Sequence, residues 1–266
     1  MAFVQMTFYA DSIRRRTPVY MCIPNDIPPL WIKDNPHHKR PTKTLVMLHG
    51  YTDFANEWVN SSLINELCNK YNVAAVMPSG DNCFYLNGEA TGFQYCDYVG
   101  VELIEYIRRT FNLALKPEDT FIGGLSMGGF GAIHTGLAHP ENYSKIVGLS
   151  SALIHNEVKD MKEGYGNEVA NYAYYRQVFG DPAKLEESEN NPEYLIKKRL
   201  ENFEKIPDIF LACGTEDFLI DRNRQFRNFL QSYAVPVTYF ESKGVHDWNF
   251  WNEYLEPAFK WMVGEE

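Results

Sequence analysis

From residue 44 onward, short apolar runs bounded by turn residues recur along the chain, at 44–48, 73–77, 120–123, 145–149, 208–213 and 237–240. Runs without polar alternation fit strands buried on both faces, the condition of a central parallel sheet. Between them, residues 57–71, 95–111, 127–138, 221–233 and 248–262 place apolar side chains at i, i+3 and i+4, the period of a helix with one buried face. Strands alternating with helices imply right-handed crossovers and a doubly wound sheet with helices on both faces. The opening differs. Residues 4–9 and 14–23 alternate in character, as antiparallel edge strands do, and the prolines at 24, 28, 29, 36 and 41 mark a loop after them.

One stretch breaks the rhythm. Residues 151–205 are polar and rich in tyrosine (Tyr165, Tyr172, Tyr174, Tyr175, Tyr194), and they are too long for a plain loop. They are expected to form a small helical cap inserted over the strand ends. No repeat, low-complexity tract or charge block marks a linker, so residues 1–266 are expected to form one α/β domain carrying that cap.

Charge narrows the partners. With 25 basic and 35 acidic residues the net charge is −10, which argues against nucleic acid and against anionic membrane surfaces. No apolar run reaches the roughly 18–20 residues that span a bilayer. The first residues lack a basic stretch followed by an apolar one, so no secretory signal is expected. The five cysteines, at 22, 68, 83, 96 and 213, are odd in number and contain no C-x-x-C pair. Reduced thiols in a cytoplasmic protein are the expectation, rather than disulfides or a metal site.

The candidate chemistry centres on Gly124-Leu125-Ser126-Met127-Gly128, a G-x-S-x-G pentapeptide between a strand and a helix. A sharp strand-to-helix turn leaves little room around a nucleophile, so glycines flank it, and it aims Ser126 Oγ at the positive end of the new helix. A serine hydroxyl needs a base, and the base needs an orienting acid. Of seven histidines, His37 and His38 lie in the proline-rich loop, and His134 and His139 lie along the helix that follows Ser126. His49 sits at a strand end, where it would hold a loop. His155 is the rival at the start of the cap. His246, in the loop after the last strand, can be carried across the strand ends and is the expected base. Asp217, just past the strand 208–213, is the expected acid; Glu216 points elsewhere, Asp221 reads as a helix N-cap and Asp247 as a local cap. The order Ser126, Asp217, His246 is that of α/β-hydrolases. Backbone N–H groups of Met127 and Tyr51 are the expected oxyanion donors, with Gly50 letting the second loop come close. Trp248 and Trp251 beside His246, with the cap tyrosines, are expected to wall a short, partly wet acyl slot.

Five blocks in order carry a family resemblance: Leu48-His49-Gly50-Tyr51, residues 123–131 around Ser126, Tyr174-Tyr175-Arg176-Gln177-Val178-Phe179-Gly180, residues 213–219 around Asp217, and residues 244–251 around His246. Together they resemble the esterase D-type branch of the α/β-hydrolases, over nearly the whole chain, with bacterial tributyrin esterases as the nearest likeness. The resemblance implies a cytoplasmic serine carboxylesterase acting on short-chain acyl esters, with its serine, aspartate and histidine on Ser126, Asp217 and His246. It implies oxyanion donors on Tyr51 and Met127, no cofactor and no metal. The partner would be a small-molecule ester, an acylated sugar among the candidates, and a homo-oligomer stays open. Thioesterases of the S-formylglutathione hydrolase type and acetyl or feruloyl esterases share the wider group; a non-catalytic binding module would lack a member of the triad.

Overall fold

The computed structural model describes residues 1–265. Its eight strands are β1 (Ala2–Ala10), β2 (Arg15–Ile23), β3 (Lys43–Leu48), β4 (Val73–Pro78), β5 (Thr120–Leu125), β6 (Lys145–Leu149), β7 (Asp208–Gly214) and β8 (Val237–Ser242). They form one sheet in the order β1-β2-β4-β3-β5-β6-β7-β8. The hairpin β1–β2 joins β4 antiparallel, and every pairing from β4 to β8 is parallel.

Side chains of the central strands alternate between two cores, as a period of two requires. Val46, Ile122, Ile146 and Leu211 face one core; Leu45, Phe121, Val147 and Phe210 face the other. Helices cover both. The short helices α1 (Pro29–Ile32) and α2 (Glu57–Ser61) precede α3 (Ile64–Tyr71), and α4 (Tyr95–Asp97) leads through a π-helical turn, Tyr98–Glu102, into α5 (Leu103–Phe111). Then come α6 (Ser126–Ala138), α7 (His155–Val158), α8 (Tyr172–Phe179), α9 (Pro192–Glu201), α10 (Ile220–Ser232) and α11 (Trp248–Val263). α3 and α11 fill the second core, whereas α5, α6 and α10 fill the first. This is a doubly wound α/β-hydrolase fold.

Two expected helices are interrupted. The run 57–71 is broken at Ser62, whose backbone is extended (φ −128°, ψ 171°) and whose Oγ accepts from Ile64 N–H at 3.1 Å. A side-chain oxygen takes over a backbone donor and starts a second helix. The run 95–111 loosens around Gly100, where an added Cβ would lie 2.2 Å from the His139 ring, so the backbone of this turn packs directly against that ring. The segment joining β6 to β7 carries α7, α8, a 3₁₀ turn (Pro182–Glu187) and α9. Its Tyr175, Phe179, Leu185 and Ile196 are buried in the first core, so much of its aromatic content is packing.

Candidate active site

Parallel strands leave their C-terminal ends on one edge of the sheet, and the candidate residues all follow such ends. Ser126 follows β5 and opens α6 with φ +53°, left-handed for a residue with a side chain. Such a conformation costs on the order of 1–3 kcal/mol and persists only where its surroundings enforce it. They do so by close backbone contact. A Cβ on Gly124 would lie 2.3 Å from Gly128 O, and one on Gly128 would lie 2.3 Å from Leu48 O. Ser126 is half-buried, and its carbonyl accepts from Ala152 N–H at 2.9 Å, tying the turn to the chain beyond β6. Met127, in the first turn of α6, is buried.

The structure brings Asp217 and His246 together directly. His246 Nδ1–H donates to Asp217 Oδ2 at 2.8 Å, so Nε2 is the ring nitrogen that the acid does not engage. Asp217 is 2% exposed, and its other oxygen accepts from Leu219 N–H at 2.8 Å. Burial alone would raise its pKa. The hydrogen bond and charge of His246 outweigh that and, with the Leu219 N–H and the Ser150 hydroxyl, hold the carboxyl below its usual range. Phe218 and Trp251 flank the imidazole, with ring centroids 4.6 and 5.0 Å away. Between β5 and β7 lies only β6, so Ser126 and Asp217 stand two strands apart on the same edge.

The remaining histidines are occupied elsewhere. His155, the rival base, is buried with Nε2 3.3 Å from Glu193. His134 Nε2–H donates to Glu189 O at 2.8 Å, and burial pushes its pKa down to about 4. His37, His38 and His139 pair with Glu265, Asn69 O and Glu141. His49 holds the loop after β3, as expected: its Nδ1–H donates to Gly50 O at 2.8 Å and its Nε2 accepts from Gly80 N–H at 2.9 Å. Asp247 accepts from Phe250 N–H at 3.0 Å and caps α11, also as expected. Asp221 does not cap α10. Ile220 N–H already donates to Asp217 O at 3.1 Å, so the helix starts one residue early and Asp221 lies exposed in its first turn.

Tyr51 sits half-buried in a loop pinned by groups that the sequence alone did not single out. Tyr85 Oη accepts from His49 N–H at 3.0 Å, Trp58 Nε1–H donates to Leu48 O at 3.1 Å, and Glu57 Oε2 accepts from Gly50 N–H at 3.0 Å. Glu57 is 6% exposed. Burial raises its pKa to about 8, against the Gly50 N–H and helped by the neighbouring Asp53. Its only signal in the sequence is an acid at the start of a helix, which reads equally well as a complement to the helix dipole. Trp251, expected in a pocket wall, is buried instead. Among the described residues no group of three His, Cys, Asp or Glu side chains converges to hold a metal ion, and all five cysteines are free and buried.

Residues 12–262 match the Esterase family model. The chain is 41% identical to an acetyl esterase from Caldicellulosiruptor saccharolyticus over 262 residues, 98% of each protein. Among solved structures it is similar to the fluorophosphonate-binding serine hydrolase FphF of Staphylococcus aureus, at 27% identity, 98% coverage of both chains and a TM-score of 0.84. It is similar as well to the S-formylglutathione hydrolase FrmB of the same organism, at 27% identity, 98% coverage of both chains and a TM-score of 0.81.

A carboxyl whose folded pKa is raised contributes stability that is full below its unfolded pKa, near 4.5, and lost as pH rises through about 8. Glu57→Gln keeps an acceptor for Gly50 N–H and removes the ionisation. Urea unfolding at pH 5 and pH 9 is expected to show the variant gaining on the wild type by on the order of 3 kcal/mol over that interval. Parallel pH curves for the two proteins would mean that Glu57 is ionised in the folded state.

Proposed function

The chain belongs to the esterase family of the α/β-hydrolases, and we propose that it is a serine carboxylesterase working through Ser126, His246 and Asp217. It is a carboxylic ester hydrolase. One observation carries the machinery: the buried Asp217 holds His246 by Nδ1, on the sheet edge where Ser126 is fixed in a left-handed turn. In this reading His246 Nε2 takes the Ser126 proton as Oγ attacks the ester carbonyl. Negative charge develops on the carbonyl oxygen, where the Met127 and Tyr51 N–H groups donate to it. His246 then protonates the departing alcohol, leaving an acyl-serine. Water, deprotonated by the same imidazole, releases the acid.

Short acyl groups, acetyl to butyryl, are the substrates we propose. Tyr174 of α8 lies against Tyr51, with ring centroids 5.9 Å apart, and donates to Asn82 O at 2.9 Å. These contacts with the loops after β3 and β4 support the cap role proposed for the segment 151–205. The acetyl esterase relative supports the choice of short acyl groups, and an acylated sugar in the cytoplasm is the substrate proposed. A second reading, a thioesterase acting on S-formylglutathione, is favoured by the likeness to FrmB.

Ser126→Ala and His246→Ala are each expected to lower kcat by about 10⁴–10⁶, and the double variant little further, because the two act as a unit. Multiplicative losses would count against the pairing. Asp217→Asn should fold and lose rate through the wrong imidazole tautomer, whereas Asp221→Asn should change little.

In a nitrophenyl ester series, kcat/KM is expected to peak between acetyl and butyryl. A steady rise to octanoyl would reveal a deep apolar channel, since each buried methylene is worth about 0.8 kcal/mol. Hydrolysis of S-formylglutathione faster than of any short ester would favour the thioesterase.

A further inference from the structure

Trp251 lies in the first turns of α11 and is 6% exposed. A buried indole N–H needs an acceptor. This one donates to Ser150 Oγ at 3.1 Å. Ser150 is the first residue after β6, fully buried and left-handed at φ +45°. Its own N–H donates to Ala212 O of β7 at 2.8 Å, so its position is set by the strand that delivers Asp217. Its hydroxyl is among the groups that hold the Asp217 carboxyl below its usual range. The same indole meets the His246 imidazole edge-on, with centroids 5.0 Å apart and planes at 88°. One side chain therefore meets the base with its ring and binds, by its N–H, the hydroxyl of Ser150 at the end of β6.

The contact continues across the site. Trp248 packs edge-on against Trp251, with centroids 5.2 Å apart, and against Trp58, again at 5.2 Å. Trp58 donates to Leu48 O, the last residue before the loop that carries Tyr51. Three indoles thus run from the base to the end of β3.

We propose that Trp251 is a positioning residue for the Asp217–His246 pair, acting through Ser150 on the acid and through ring contact on the base. Ser150 Oγ can accept from the indole and donate its own hydrogen to the carboxylate at the same time. Once the indole N–H is removed, the hydroxyl is free to rotate and Asp217 loses a fixed donor. The imidazole plane loses its reference with it. This inference rests on the triad reading above, so its test includes a triad variant.

The experiment measures kcat and KM for a short ester, per folded molecule, in Trp251→Phe, Ser150→Ala, the double variant and His246→Ala, with urea unfolding of each. Trp251→Phe keeps an aromatic ring and removes the N–H. Each single variant is expected to lose about tenfold in kcat with KM unchanged, the size of one net hydrogen bond. The double variant should be no worse than the weaker single, because both act through one bond. Wild-type kcat with a lowered unfolding midpoint would overturn the proposal, leaving Trp251 as packing alone. Multiplied losses would overturn it as well, by making the two residues independent. If Trp251→Phe does not fold, Ser150→Ala, which removes one oxygen, decides by the same kcat criterion. An inactive His246→Ala beside a fully active Trp251→Phe defeats this proposal only; a fully active His246→Ala defeats the triad reading and this one together.

Discussion

Turning the chain from β5 into α6 with a serine at φ +53° is possible here only because two backbones touch where side chains would otherwise stand. Gly124 lies against Gly128, and Gly128 against the carbonyl of Leu48. The first contact closes the turn. The second presses the start of α6 onto the end of β3, which brings the Met127 and Tyr51 regions onto one small area of the sheet edge. The strain in Ser126 and the nearness of the two loops are therefore one constraint. The neighbouring carbonyl and the buried helix face are what hold it.

Around that turn the protein spends many of its buried polar contacts on position. Glu57, Trp58 and His49 each take one backbone group of the segment from Leu48 to Gly50, and Tyr85 takes both the N–H and the carbonyl of His49. On the other side, Leu219, Ser150 and His246 converge on Asp217. Preorganised groups need little rearrangement when charge develops, which is where such fixed donors gain their effect over water.

Much of this was legible in the residues. The central strands stood out because each is buried on both faces, and the strand–helix alternation fixed the doubly wound class. Ser126, His246 and Asp217 stand out in the sequence because each follows a strand end in hydrolase order, and the structure joins two of them by a hydrogen bond. What escaped was set by tertiary contact. Ser62 splits a helix with its own hydroxyl, a competition that apolar periodicity does not register. Trp251 reads as a pocket wall from its place near His246, and only the position of Ser150 across the fold shows its N–H committed to the interior. Glu57 looks like any acid opening a helix until Gly50 is seen beside it.

The proposed chemistry depends most on Ser126 being a nucleophile activated by His246. The direct measurement is reaction with a fluorophosphonate followed by peptide mass mapping, on the wild type and on His246→Ala. A single adduct on Ser126, formed in minutes by the wild type and nearly absent from the variant, is the predicted result. An adduct on another residue, or equal labelling of Ser126 in both proteins, would contradict it.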